Sequence, residues 1–270
     1  MKFDAVITGT VQKMQTKKMP AYTGNREDLT QASIFANVRN ANGDQKVFQI
    51  NSYYAVGNFN TNKLKTVRED QQALIYCFLK PKLKKITRGP DKLEWIRIDL
   101  RYGWHKQLTK EDQNMKEQSQ FHICGRILNY KKLSFTKFSY YEVMIIKNYG
   151  EKFQETYTVS RFYKDEEEAD KIGQELQQMV QANQEYHCLG TIAASWKTND
   201  RGMEIQNVRL TAKAFYPEGD VEKSQLLKDR YFDCEEADGA RKKKLAVKET
   251  FQKGKGNNVE VVEEEEEMPF

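Results

Sequence analysis

The sequence predicts a mainly β protein: two tandem five-stranded barrels, each with one helix, followed by a disordered C-terminal tail. Three observations predict it. Alternating strand patterns recur in two similar halves, turn residues separate the strands, and the last fifty or so residues (218–270) change to a charge-run composition that no core would accept. The expected boundaries are 1–105 for the first barrel, 106–120 for a linker, 121–217 for the second barrel and 218–270 for the tail.

Each half opens on a strand with a glycine near its middle. Ile7-Thr8-Gly9-Thr10-Val11 begins the first and Ile123-Cys124-Gly125-Arg126-Ile127 the second. A strand glycine permits a sharp bend or close backbone approach. A hairpin follows. In the first half Ser33 to Arg39 turns at Asn42-Gly43, a strong turn signal, and returns as Lys46 to Ile50. In the second, Tyr141 to Ile146 turns near Asn148-Tyr149-Gly150 and returns as Phe153 to Val159. A helix is expected next. Asp165 is the N-cap of the second-half helix, Glu166, Glu167 and Glu168 complement its dipole, and Ala169, Ile172, Leu176, Met179 and Val180 make one apolar face. Thr61 to Gln72 is the first-half counterpart. A long strand pair closes each half: Leu74 to Lys85 with Leu93 to Tyr102, and Cys188 to Lys197 with Glu204 to Phe215. Strand, hairpin, helix, hairpin is the order of the oligonucleotide/oligosaccharide-binding barrel, the OB-fold.

Composition narrows the function. The chain has 270 residues, 39% hydrophobic and 31% charged. Its mean hydropathy is -0.83. No apolar stretch approaches the roughly 20 residues of a membrane span, and Met1-Lys2-Phe3-Asp4 does not begin a secretory signal. Cys77, Cys124, Cys188 and Cys234 are scattered, without a Cys-x-x-Cys pair, and read as small apolar residues in a reducing compartment. A cytoplasmic protein with no membrane partner is therefore expected. His105, His122 and His187 belong to no spaced metal or nucleophile motif, no phosphate-binding Gly-Lys-Ser/Thr loop occurs, and the acids from Asp165 to Asp170 read as a helix start. The expectation is a protein that is not an enzyme and needs no metal or cofactor.

The net charge of +5 is unevenly spread. Residues 1–115 hold 20 basic and 11 acidic side chains, residues 116–217 hold 14 and 13, and residues 218–270 hold 10 and 15. A basic body attracts polyanions, nucleic acid foremost, although ordinary solubilising charge would look the same. The tail is basic first (Arg241 to Lys244, Lys248, Lys253, Lys255), then Gly- and Asn-containing, then acidic through Glu263, Glu264, Glu265, Glu266 and Glu267. Five adjacent like charges repel one another and stay solvated. The final Met268-Pro269-Phe270 offers an aromatic anchor and a carboxylate to a partner's pocket.

An OB-like body, a linker, an acidic run and a terminal Met268-Pro269-Phe270 resemble bacterial and phage single-stranded DNA-binding proteins, and Ile123 to Leu128 is similar to that family's first strand. The resemblance implies coating of exposed single strands without sequence preference. It also implies recruitment of replication, recombination and repair proteins by the acidic tip. The linker here is short and Lys-rich, unlike the family's usual one. The family includes one-barrel tetramers and tandem-barrel dimers, so a monomer or a homodimer is open.

Binding a strand without sequence preference needs a positive groove and aromatic platforms. On the strand from Glu94 to Tyr102, Trp95, Arg97 and Arg101 share the face opposite Ile96, Ile98 and Leu100. They suit base stacking with phosphate pairing, or else a surface Trp covered by Arg stems. Phe35 and Arg39 belong to the same platform, or else to a second core or interface face. Lys80, Lys82, Lys84, Lys85 and Arg88 form the densest basic run of the body, on the arm between the last two strands. Lys13, Lys17 and Lys18 follow the first strand and line the same groove. In the second half Trp196, Lys197 and Arg201 occupy the matching arm, with Tyr140 a further candidate. A protein-interaction scaffold and an RNA-binding protein stand as alternatives, because stacking and phosphate contacts do not separate RNA from DNA.

Overall fold

The computed structural model describes residues 3–19, 29–39, 43–54, 64, 66–86, 93–109, 112, 117–149, 153–198 and 202–217, and among these ten strands and one long helix make two barrels. The first barrel comprises β1 (Ala5–Met19), β2 (Leu29–Arg39), β3 (Gln45–Tyr54), β4 (Gln72–Ile86) and β5 (Leu93–Gln107). The second comprises β6 (Gln118–Ser134), β7 (Ser139–Tyr149), β8 (Phe153–Phe162), helix α1 (Glu166–Ala182), β9 (Glu185–Thr198) and β10 (Glu204–Pro217). Within each barrel the first strand pairs with both the second and the fourth, and the fifth pairs with the fourth and, in parallel, with the third. That is the OB order, each barrel closing through a short parallel contact between its third and fifth strands.

The two opening glycines do the same work. A Cβ on Gly9 would sit 2.3 Å from the Asn37 carbonyl oxygen, and one on Gly125 would sit 2.3 Å from that of Ile146. The strand can fold tightly over its neighbour at those points because nothing projects there. Each glycine is followed by the same irregularity, a register shift between Val11 and Lys13 in β1 and between Ile127 and Asn129 in β6. Bulges of this kind increase the local bend that closes a small barrel. The expected first hairpin is present, with Arg39 opposite Gln45 and Gly43 at φ 85°.

Alternation puts Ile34, Ile50, Ile75, Leu79 and Leu100 inside the first barrel and Ile123, Ile145, Tyr157 and Val159 inside the second. Helix α1 closes the second barrel with Ala169, Ile172 and Leu176, as its apolar periodicity predicts. Asp165 caps it by accepting from the Glu168 N–H at 2.8 Å, and Asn183 ends it in the left-handed region at φ 49°. The first-half helix expected over Thr61 to Gln72 does not extend through residues 66–72, while residues 61–63 and 65 lie outside the described part of the chain. Among its described positions only Leu64 is helical. Asp70 takes a left-handed φ of 59° and donates its N–H to the Val11 carbonyl, so the chain turns into β4, which begins at Gln72. Leu64 and Val67 still enter the core. Burial pushes the Cys77 and Cys188 thiols well above the ordinary range, which suits buried cysteines packed as apolar residues.

The barrels meet through β1 and β6, which pair antiparallel with Ala5 opposite Phe121 and Val6 opposite Gln120. Ala5 and Phe121 hold corresponding places ahead of Gly9 and Gly125, so the pairing is locally twofold symmetric. The contacts beside it are reciprocal. From the β9–β10 arm, Gln206 exchanges two hydrogen bonds with the Gln49 backbone of β3. From β4, the Leu79 carbonyl accepts from the Tyr157 hydroxyl at 3.0 Å and Lys80 pairs with Glu155 of β8 at 2.6 Å. Asp4 completes the junction. Its carboxylate takes Lys147 Nζ at 2.5 Å and the Leu79 N–H at 3.2 Å.

Candidate nucleic-acid interface

Directly opposed residues of antiparallel strands share a face. On the first barrel this sets Lys80 beside Asp99, Lys82 beside Arg97 and Lys84 beside Trp95, all on the outside of the β4–β5 arm. Leu79, Pro81 and Leu83 point the other way, paired with Leu100, Ile98 and Ile96. The expected grouping of Trp95, Arg97 and Arg101 on one face is therefore present, and Trp95 is 40% exposed.

Asp99 belongs to the same face and was not among the predicted site residues, although its place in the alternation was visible. It is buried and binds Lys82 at 2.7 Å and Arg97 at 3.0 Å. Burial acts to raise its pKa. The Lys82 hydrogen bond and the charges of Arg97, Lys82 and Arg101 outweigh that and hold the carboxyl below its ordinary value. Two predicted phosphate-binding cations are thus oriented by an internal carboxylate. Lys80 is engaged differently, half-buried against Glu155 of the second barrel.

Across β3 and β2 the same outer face continues. Asn51 lies opposite Arg101, and its Oδ1 accepts from Gln31, Ser33 and Gln49 at 2.9, 2.8 and 3.1 Å. Beyond this amide cluster lies Phe35, with Lys13 Nζ over its ring at 4.9 Å. Against Phe35 stacks Trp196, which arrives from the second barrel and donates its Nε1 hydrogen to the Val47 carbonyl at 3.0 Å. Sequence reasoning put Phe35 and Trp196 in separate halves; the structure brings them together. Arg39 lies apart from them: its backbone N–H donates to the Glu117 carboxylate, and both line, with Lys46 and Lys213, a cleft of about 350 Å³ between the barrels. Lys197 is exposed one residue past Trp196. The side chains of Lys17, Lys18 and Lys85, the residues Arg88 and Arg201, and the tail with Glu263 to Glu267 and Met268 to Phe270 lie outside the described part of the chain.

The second barrel carries a ring cluster of which only Tyr140 was predicted. Tyr140 and Phe162 are directly opposed on β7 and β8, with centroids 5.2 Å apart. Phe135 and Phe138, from the β6–β7 turn, stack on Tyr140 at 6.0 and 6.1 Å with planes 14° and 25° from parallel. The available signal was three aromatics within six residues, Phe135, Phe138 and Tyr140. Phe162 gives no local signal, because it joins them through pairing across strands.

No family model matches the chain, and no curated protein does. Among solved structures, the wild-type single-stranded DNA-binding protein from Thermus aquaticus superposes with a TM-score of 0.51 at 10% identity, covering 80% of this chain and 92% of that one. An internal-deletion mutant of the same protein gives 0.49, also at 10% identity, covering 80% and 93%. At this identity the likeness shows the fold.

Proposed function

We propose that the chain binds single-stranded DNA without sequence preference, laying the strand over the outer face of the first barrel. The observation that carries the reading is the band from Lys13 and the Phe35–Trp196 stack, past Asn51 and Arg101, to Lys82, Lys84 and Trp95. It interleaves cations for phosphates with rings for bases, as single-strand binding requires. It lies on the face, and reaches along the arm, that OB barrels offer to oligonucleotides. The Thermus aquaticus structure, a single-stranded DNA-binding protein with this fold, supports the same reading.

In this proposal the protein coats and protects exposed strands in the cytoplasm and has no catalytic role. The two halves act as separate OB domains with the boundaries given above. The tip from Glu263 to Phe270 recruits replication, recombination and repair proteins. The test is a titration of the full chain with dT oligomers at several salt concentrations, read by Trp fluorescence. Binding should quench emission, weaken as salt rises and weaken further in Trp95→Ala and Lys82→Ala. A flat titration at low salt overturns the proposal. Equal binding of an RNA counterpart would remove the preference for DNA.

A further inference from the structure

We infer that the outer face of β6 and β9 is a binding site for a borderline-soft divalent cation, Zn²⁺ foremost, built from Cys124, His187 and Glu185 with His122 behind them. The inference is independent of the single-strand reading above.

The sheet assembles the donors. His122 and Cys124 are two apart on β6, and Glu185 and His187 two apart on β9, so each pair points to one side of its strand. Cys124 lies directly opposite His187, which puts both pairs on the same side. Their neighbours Ile123, Tyr186 and Cys188 turn into the core. All four donors are half-buried, within reach of an ion and partly screened from water. Cys124 Sγ is the hub, 3.8 Å from Glu185 Oε2 and 3.9 Å from His187 Nε2. Bonds of about 2.3 Å to sulfur and about 2.1 Å to nitrogen or oxygen set the donors of a tetrahedral zinc about 3.4–3.6 Å apart. Both separations lie within a few tenths of an ångström of that edge. With the side chains as they stand, no three such donors among the described residues enclose an ion. What must close is the third edge, between Glu185 and His187, by rotation of two side chains on one strand. A thiolate with an imidazole selects Zn²⁺ and its neighbours over Mg²⁺ and Ca²⁺, which take oxygen.

His122 supplies what a metal-bound imidazole needs. A ligating histidine donates its other ring hydrogen to an acceptor, which fixes tautomer and ring orientation. His187 Nδ1 and His122 Nε2 are 2.7 Å apart, with ring planes 22° from parallel. With the shared proton on His187 Nδ1, the Nε2 lone pair is left on the side of Cys124. Arg126, the cation opposite Glu185, donates to Asn183 Oδ1 at 3.3 Å.

The first barrel shows that the fold does not require these residues. Gly9 faces Ala73 as Gly125 faces Tyr186, so Thr8, Leu74 and Gln72 hold the places of Cys124, His187 and Glu185, and Val6 that of His122. None of them offers a thiolate, imidazole or carboxylate. The donor set belongs to the second barrel alone, and its halves lie 61 to 63 residues apart, which is why no sequence spacing announces it. An ion held there clasps the barrel's first strand to its fourth.

The test titrates the reduced, chelator-treated full chain with Co²⁺ and then Zn²⁺. Co²⁺ should bind stoichiometrically with a thiolate-to-cobalt charge-transfer band, and Zn²⁺ should displace it and raise the melting temperature. Cys124→Ser and Cys124→Ala should abolish both the band and the Zn²⁺-dependent rise. His122→Asn should keep the band while Zn²⁺ affinity falls about 10- to 100-fold. Without metal, each variant should melt close to the wild type, so that these losses report ligation. A wild type with neither band nor Zn²⁺-dependent rise overturns the proposal. So does a band that survives both Cys124 substitutions, because another cysteine would then be the ligand.

Discussion

Trp196 of the second barrel lies against Phe35 of the first, ring centroids 6.2 Å apart and planes 22° from parallel. The same indole donates to the Val47 carbonyl at 3.0 Å, so one side chain both ties the barrels together and lays a ring on the outer face of the first. Trp196→Ala should lower stability by about 2–3 kcal/mol, less than for a fully buried Trp. Chemical denaturation of Trp196→Ala, Phe35→Ala and the double variant should give a coupling of about 0.5–1.5 kcal/mol. Additive losses would mean the rings do not support one another.

Asp99 predicts an acid-side sensitivity. Its folded-state pKa lies below the ordinary value, so the stability it contributes is complete above roughly pH 4 and is lost as pH falls through the depressed value. Asp99→Asn should therefore lie below the wild type at neutral pH and approach it at the acid end of a denaturation series. The substitution also releases Lys82 and Arg97 from their shared carboxylate. The salt slope for dT binding should steepen as they become available to phosphates.

Asp4 predicts the opposite sign. Burial raises its pKa; Lys147 lowers it by charge and hydrogen bond, the Leu79 N–H lowers it further, and the net shift is upward. Lys147→Ala leaves that carboxylate without its ammonium partner between the barrels. The expected loss at neutral pH is about 3–5 kcal/mol, the cost of breaking a buried pair from one side. The loss should shrink as pH falls, because protonated Asp4 tolerates burial. A Lys147→Ala deficit that stays constant from neutral pH down to the acid limb of the denaturation series would contradict this account.

Gly9→Ala and Gly125→Ala should each destabilise by about 1–3 kcal/mol or more, since the new methyl meets a carbonyl oxygen that cannot yield. Thermal unfolding should show similar losses for the pair, as the repeat requires. A tolerated substitution at one position alone would show that the halves close differently there.

What the sequence made legible is local. Gly9 and Gly125, the Asn42-Gly43 turn and the capped helix from Asp165 all announce themselves within a few residues, and the barrel order follows from them. The pairing of Ala5 with Phe121 and the docking of Trp196 on Phe35 join distant segments, and no periodicity encodes them. The face holding Trp95, Arg97 and Arg101 could be read by alternation. That two of its cations are spoken for follows from the burial of Asp99, which depends on packing around it. Residues 66–71 turn instead of continuing a helix, with the Asp70 N–H and the Gln71 carbonyl pairing with Val11 of β1 and the Arg68 N–H with the Gln107 side chain of β5.

The symmetric meeting of β1 and β6 has an evolutionary and kinetic corollary. Two separate copies related by such a pairing would dissociate on dilution, whereas one continuous polypeptide makes their encounter intramolecular, at an effective concentration fixed by the connecting segment. Tethering also releases the halves from identity. Once neither must serve as its own mate, one can accumulate net positive charge while the other stays near neutrality.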